Sequence, residues 1–175
     1  MSDGYHMRRM DKAIEDPATL RRILVEAKHI TVAMCKDGMP YLVSLSHGYD
    51  EERDLIYFHC APEGKKLDYM RANPTVWGQA VLDFGFFDGH DDCRQEFASV
   101  MFQGEVTFVD DPEEKLHAFV MTNRQLDAPS EGLQRILDEH LERATVGKIM
   151  MSNLTGKRTK GVELQAEKVP VSGAG

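Results

Sequence analysis

Within the stretch YFHCAPEGKK, residues Tyr57 to Lys66, four side chains carry reactive or charged groups at short spacing: His59, Cys60, Lys65 and Lys66. An imidazole titrates near neutrality and can hold or donate a proton at a reacting atom. Two lysines in the first turn of a helix, beside unpaired backbone N–H groups and the positive end of the helix dipole, make a site for a phosphate. Gly64 allows the backbone to approach such a ligand closely. The same residues also describe an ordinary exposed helix start with a glycine easing the turn, and the local pattern does not choose between the two. For His59, a hydrogen bond to a phosphate or to a backbone carbonyl competes with a role toward substrate.

Other chemical groups give weaker signals. His90 and Cys93 form an H-x-x-C spacing without a second cysteine pair, so a polar loop is expected there and no metal site. His47 and His59 are conceivable axial ligands for a non-covalent haem, since no CxxCH attachment sequence occurs. Trp77, Phe84, Phe86 and Phe87 offer flat surfaces for a planar ligand, although Trp77 in TVWGQAV equally fits a core position. Met150 and Met151 read as core filler. The run Gly156 to Lys160, GKRTK, is a solvated turn or a supply of positive charge near a phosphate.

The elements that would hold these groups follow from the pattern. DPATLRRILVEA has an aspartate N-cap, a proline at the first helical position, and Leu20, Ile23, Leu24 and Ala27 on one face. HITVAMC and PYLVSLSHGY are strands joined by the turn signal KDG. After DEERD comes LIYFHC, with Leu55, Tyr57 and His59 on one face and Ile56, Phe58 and Cys60 on the other. Three sequential strands predict an antiparallel meander. A short helix over Gly64 to Ala72 stops at Asn73-Pro74. TVWGQAVLDF resumes the strand pattern, Gly85 to Glu96 reads as a loop, and FASVMFQGEVTFV as a long strand with a bulge or bend at Gly104. A helix then begins at Asp111 and Pro112 with Leu116, Phe119 and Val120 as its buried face, and another carries Leu133, Ile136, Leu137 and Leu141. ATVGKIMMSNLTGKRTKGVEL predicts a closing strand, a turn at TGKR and a short return. The fold class is α+β, mainly β: an antiparallel barrel with peripheral helices, in one domain over residues 1–175 whose segments 1–10 and 166–175 are flexible.

Composition bounds the function. The chain has 175 residues, 42% of them hydrophobic, and a formal net charge of −8. An acidic chain of this size suits a globular protein and argues against a general nucleic-acid or membrane-surface role, which needs a basic face. No run is long enough for a spanning helix, and MSDGYHMRRMDK lacks the apolar middle of a signal peptide, so a cytoplasmic location is expected. Cys35, Cys60 and Cys93 are far apart and read as reduced thiols.

A series of segments resembles a known family in order. MRRMDK at Met7 to Lys12, DGMPYLVSLSHGYD, LIYFHCAPEGKKLDYMRANPTV and FASVMFQGEVTFVDDPEEK are similar to landmarks of the flavin-binding split-barrel proteins related to pyridoxamine 5'-phosphate oxidase. Among these the likeness is to the Nim-type, nitroimidazole-reductase-like group, and it extends over most of Met7 to Leu164. The resemblance implies an FMN site in a cleft between two subunits of a homodimer. It implies a phosphate held by the loop carrying Gly64, Lys65 and Lys66, with His59, Cys60 and Ala61 lining the approach. It further implies that the strand Tyr41, Leu42, Val43, Ser44, Leu45, Ser46 runs beside the flavin ring, and that Ser99 and Val100 take the place of a glutamine and a valine on the long strand of the oxidase relatives.

Three functions follow as expectations. The first is an FMN-dependent oxidoreductase that passes electrons from a reduced nicotinamide or other small-molecule donor to a small electron-poor acceptor, with His59 as the one candidate catalytic side chain. The second is a haem-binding protein on the same scaffold. The third is a non-catalytic flavin-binding module. No GxGxxG follows a strand, so a nicotinamide donor would bind transiently over the flavin.

Overall fold

The computed structural model describes residues 7–89, 93–129, 137 and 143–164. The chain opens with a helix, α1 (Pro17–Glu26), whose N-cap Asp16 accepts hydrogen bonds from the backbone N–H groups of Ala18 and Thr19. Leu20, Ile23, Leu24 and Ala27 are all buried, as the periodicity predicts. Strands β1 (His29–Lys36) and β2 (Met39–Ser46) form a hairpin through Asp37 and Gly38. Both turn residues have positive φ, 52° and 75°, which matches the right-handed twist of the two strands.

After a single residue, His47, the chain enters β3 (Gly48–Asp50), then β4 (Leu55–Cys60), helix α2 (Lys65–Ala72), β5 (Thr75–Asp88), β6 (Cys93–Val109), helix α3 (Pro112–Gln125) and β7 (Thr145–Arg158). The seven strands make one antiparallel sheet in the order β2-β1-β5-β6-β7-β4-β3. Its two edge strands, β2 and β3, are consecutive in the chain and joined through His47, so the sheet is rolled back on itself without closing. This is a split barrel.

Several expectations change. The meander forms only in part: the stretch PYLVSLSHGY pairs with β1 through Pro40 to Ser46 and with β4 only through Gly48 and Tyr49, because the chain changes partner at His47, and β7 takes the other side of β4. The segments Gly85 to Asp88 and Cys93 to Glu96 are paired strand rather than loop, extending the β5–β6 hairpin past a register shift between Asp83 and Gly85. Gly104 is not at the bulge. The register shift between β6 and β7 lies between Met101 and Gln103, opposite Asn153 with its φ of 52°. Gly104 instead makes room for Ile149, against which a Cβ would collide. TGKR continues β7, pairing with Ala98 to Met101, and the turn comes later, at Gly161 with φ 89°. The helix expected over Leu133 to Leu141 and His90 of the H-x-x-C spacing lie outside the described residues, apart from Leu137.

The main core fills the barrel with inward residues of every long strand, among them Ile30, Val32, Ile56, Phe58, Val100, Phe102 and Ile149, closed on one side by α1. A second, smaller cluster forms under α3, where Tyr57 meets Phe119, Val109 and Val146. β4 therefore serves both clusters, one with each face, as its alternation predicts. On α3 the buried positions are Ala118, Phe119, Thr122 and Gln125, while Leu116 and Val120 are exposed. The helix is rotated relative to its apolar residues because Gln125 and Thr122 face the interior. Trp77 and Met150 also depart from the core expectation, being 46% and 47% exposed on the outer face of the sheet; Met151 packs against the main core.

Candidate functional site

One backbone edge borders the split. β2 is an edge strand, so one row of its N–H and C=O groups from Tyr41 to Ser46 has no ladder partner. β3 pairs with Leu55 to Tyr57 of β4, and β7 pairs with β4 from Leu55 to Cys60. β2 leads through His47 into β3, which pairs with the start of β4. Helix α2 packs against β1 and β2.

The start of α2 is built as the sequence predicts. Gly64 is the N-cap residue with φ 141°, a conformation that side-chain-bearing residues avoid, and no side chain caps the helix. Leu67 and Asp68 donate their backbone N–H groups to the Gly64 carbonyl, and the space beside Gly64 is open. Lys66 has no hydrogen-bond or ion-pair partner among the described residues, whereas the Lys65 ammonium lies 4.6 Å from the centroid of the Tyr41 ring and 5.6 Å from that of Tyr69. Burial pushes the Cys60 thiol pKa up, against the opposing pull of Lys66 and Arg71.

Of the residues singled out by sequence, Tyr41 to Ser46, His59 to Ala61 and Gly64 to Lys66 are thus brought around one gap. Within β2, Tyr41, Val43 and Leu45 turn inward onto the core, while Leu42 and Ser44 point out and are exposed. His59 stacks on Phe119 with ring centroids 4.7 Å apart, and a cavity of about 370 Å³ opens beside it, bounded by Cys60, Pro62, Phe119 and Arg143. Ser99 and Val100 are not brought to this gap. β6 is three strands from β2, about 14 Å across the sheet. Ser99 faces outward between Val81 and Lys157, and Val100 is fully buried in the core. His47 is also fully buried, and its Nε2–H donates to the Leu24 carbonyl at 3.2 Å, which takes that nitrogen away from any haem.

Sequence reasoning did not find the polar assembly at the opposite end of the barrel. There the Gln125 side-chain amide reaches the carbonyls of Leu24, Val25 and Ala27 at 2.9, 2.7 and 2.6 Å, capping the end of α1 from a hundred residues away. His117 Nε2 lies 2.7 Å from Asp50 Oδ2, and the Tyr57 hydroxyl donates to Glu114 while accepting from Arg53. Lys148 also donates to Glu114 and, as the largest cause, holds its carboxyl below the usual range. A cavity of about 820 Å³ opens beside Asp50, His117 and Gln125. Its size exceeds that of the cavity at His59; of the polar side chains on its wall, Asp50, His117, Lys28 and Gln125 are bound to protein groups, while Glu51, Glu52 and Arg124 have no side-chain hydrogen bond or ion pair among the described residues. The gap between β2 and β4 is the better candidate site because there the β2 edge, an uncapped helix start and Lys66, without partners among the described residues, come from neighbouring elements.

An antiparallel split barrel with an uncapped helix start set in its gap is the architecture of a family. Residues 16–158 match the family model described as pyridoxamine 5'-phosphate oxidase, and the chain belongs to that family. Among solved structures, it is similar to a candidate 5-nitroimidazole antibiotic resistance protein from Bacteroides thetaiotaomicron, at 27% identity over 83% of this chain and 86% of that one, with a TM-score of 0.70. An FAD-binding protein from Mesorhizobium loti shares 21% identity over 85% and 97% of the two chains, with a TM-score of 0.61. An FAD- and haem-binding protein from Mycobacterium smegmatis shares 16% identity over 89% and 77%, with a TM-score of 0.70. No functionally curated protein matches the chain. Among the described residues no helix is long and apolar enough to cross a membrane, and no group of three His, Cys, Asp or Glu side chains is placed to hold a metal.

Proposed function

We propose that the protein is a homodimeric flavoprotein that binds FMN in the gap between β2 and β4 and passes electrons from a reduced donor such as a nicotinamide to a small electron-poor acceptor. The observation that carries this reading is the meeting of a free strand edge and an uncapped helix start at one gap: the edge offers hydrogen bonds to a flat heteroaromatic ring, and the helix start offers N–H groups and a cation to a phosphate. Open space beside Gly64 fits a tetrahedral anion there. The flavin supplies the redox chemistry when bound. His59, on the wall of the adjoining cavity, is the side chain that holds or gives a proton to an acceptor, and Cys60 and Ala61 line the approach.

The dimer follows from what one chain leaves incomplete. Ser99 lies on the outer face of the sheet, three strands from β2, and that face exposes Leu42 at 63%, Val81 at 48%, Trp77 at 46% and Met101 at 44%. A second copy laid on this face would bury the apolar side chains and bring its own Ser99 toward the first copy's β2.

The test is an absorption spectrum of the purified protein after incubation with FMN, or in parallel with haem, followed by desalting. Retained flavin bands, and oxidation of a reduced nicotinamide on addition of a nitroaromatic, are the expected result. A retained Soret band without flavin would replace this reading with a haem-binding one, and flavin retention without donor oxidation would reduce it to a binding module.

A further inference from the structure

The two adjacent lysines of the α2 start differ in their surroundings. Lys65 lies over two aromatic rings that belong to different elements: Tyr41 on β2 and Tyr69 on α2, whose centroids are 5.2 Å apart at an interplanar angle of 51°. A lysine ammonium over a ring face is attracted by the ring quadrupole, and one cation shared by two rings ties the two elements together. The tie spans the mouth of the split, because Tyr41 stands near the end of β2 farthest from His47. No ladder bond joins α2 to β2, and apart from this group their approach is carried by packing on the common core, where both tyrosines lie. Lys66 has no ring, carboxylate or carbonyl partner among the described residues, and it faces the Cys60 side, where Arg71 is the second cation. Arg71 itself is stacked 5.5 Å from the Phe108 ring centroid.

We infer that the pair is divided in function, on the reading that the gap binds FMN: Lys66 is the charge that meets the phosphate, and Lys65 is a positioning residue that, clasped between Tyr41 and Tyr69, sets the width of the cleft in which the flavin ring lies. The Lys65 ammonium is exposed yet placed against two rings, and moving it to a phosphate would give up those contacts between α2 and β2. An unpartnered ammonium in the same turn reaches an anion without breaking anything. Lys65 therefore acts on the whole ligand through Tyr41, and Lys66 acts on its phosphate alone.

FMN and riboflavin share one ring and differ in the phosphate, so they separate the two roles. Each is titrated into the full chain and into Lys65→Met, Lys66→Met, Tyr41→Phe and Tyr41→Leu, following flavin fluorescence. Lys66→Met is expected to weaken FMN by about tenfold or more and leave riboflavin unchanged, as loss of one charge-assisted hydrogen bond predicts. Lys65→Met is expected to weaken both ligands by the same factor, about threefold, preserving the preference for FMN. Tyr41→Phe keeps the ring and should match the wild type, while Tyr41→Leu should match Lys65→Met. Loss of FMN preference in Lys65→Met, or equal weakening of both ligands in Lys66→Met, would overturn the division. Hydrogen exchange on the ligand-free protein reads the clasp independently: the amides of Tyr41 to Val43 should exchange faster in Lys65→Met than in wild type or Lys66→Met, and unchanged exchange refutes the clasp. A wild type that binds neither flavin would refute the flavin reading and the role of Lys66, and the exchange measurement would still decide the role of Lys65.

Discussion

The two ends of the barrel treat their polar groups in opposite ways. At the end formed by β3, α3 and the last turn of α1, several polar side chains are bound to other protein groups: Gln125 to three carbonyls, Asp50 to His117 and to the backbone N–H groups of Glu52 and Arg53, Glu114 to Tyr57 and Lys148. At the split between β2 and β4, the β2 edge, an uncapped helix start and Lys66 have no partners among the described residues. A larger cavity lies at the first end and the candidate site at the second. Groups already matched to one another have little left to offer a ligand, and on that ground the proposed site lies at the split.

This contrast is breakable by substitution: changes at the split and the outer face should alter binding and assembly, and changes at the matched end should alter stability. The largest effect is expected from Met101→Asp on the exposed outer face, where a carboxylate in the proposed dimer interface costs about 3 kcal/mol or more. Sedimentation velocity should show a shift to monomer together with weaker FMN binding, and an unchanged dimer would remove that face from the assembly. Next comes Gln125→Ala, which takes the Gln125 donor from the Val25 and Ala27 carbonyls and leaves the Leu24 carbonyl to His47 alone, and should lower unfolding free energy by about 2 kcal/mol in a urea titration. Flavin affinity of the folded protein should not change. If it falls as well, the two ends are not independent.

Acid should act at the matched end through His47, whose pKa burial lowers from 6.5 to about 4. The unfolded chain takes up a proton that the folded one refuses, so stability is full above pH 6.5 and declines as pH falls toward 4, by up to about 3 kcal/mol. His47→Gln should flatten that slope in thermal unfolding measured across pH 4 to 7, whatever its effect at neutrality. The smallest effect is expected for Arg21→Ala. Its pairing with Asp54 is well formed, at 2.6 and 3.0 Å, but both partners are about 40% exposed. The loss should stay below about 1 kcal/mol by the same urea titration.

Local signals made much of this legible in the sequence. The Asp16 cap, the Asp37-Gly38 turn, the two faces of LIYFHC and the Gly64 helix start each depend on a few neighbouring residues, and each is where the pattern puts it. The strand pairing was not legible, because the alternation of Tyr41 to Ser46 is the same whether β2 pairs with β1 alone or with β4 as well, and only the partner change at His47 separates the two. The face of α3 was misread for a related reason: Leu116 and Val120 look like core, while the inward residue that fixes the helix is Gln125, whose partners lie a hundred residues earlier. For the candidate site, the family resemblance assembled Tyr41 to Ser46 with the lysine loop before the geometry did. It treated Lys65 and Lys66 alike, since a tyrosine pair drawn from two elements leaves no trace at one position of the chain.

The single-residue crossing at His47 has one more consequence. His47 fixes where β2 gives way to β3, the strand that pairs with the start of β4, so on the proposed reading a flavin ring lying along β2 would be stopped at that end and its tail would leave past Ala61 to Gly64, all exposed to solvent. A mononucleotide would stop at the helix start, a dinucleotide would trail past it into water, and the choice between them would rest with the loop at the exit rather than with the strands that grip the ring.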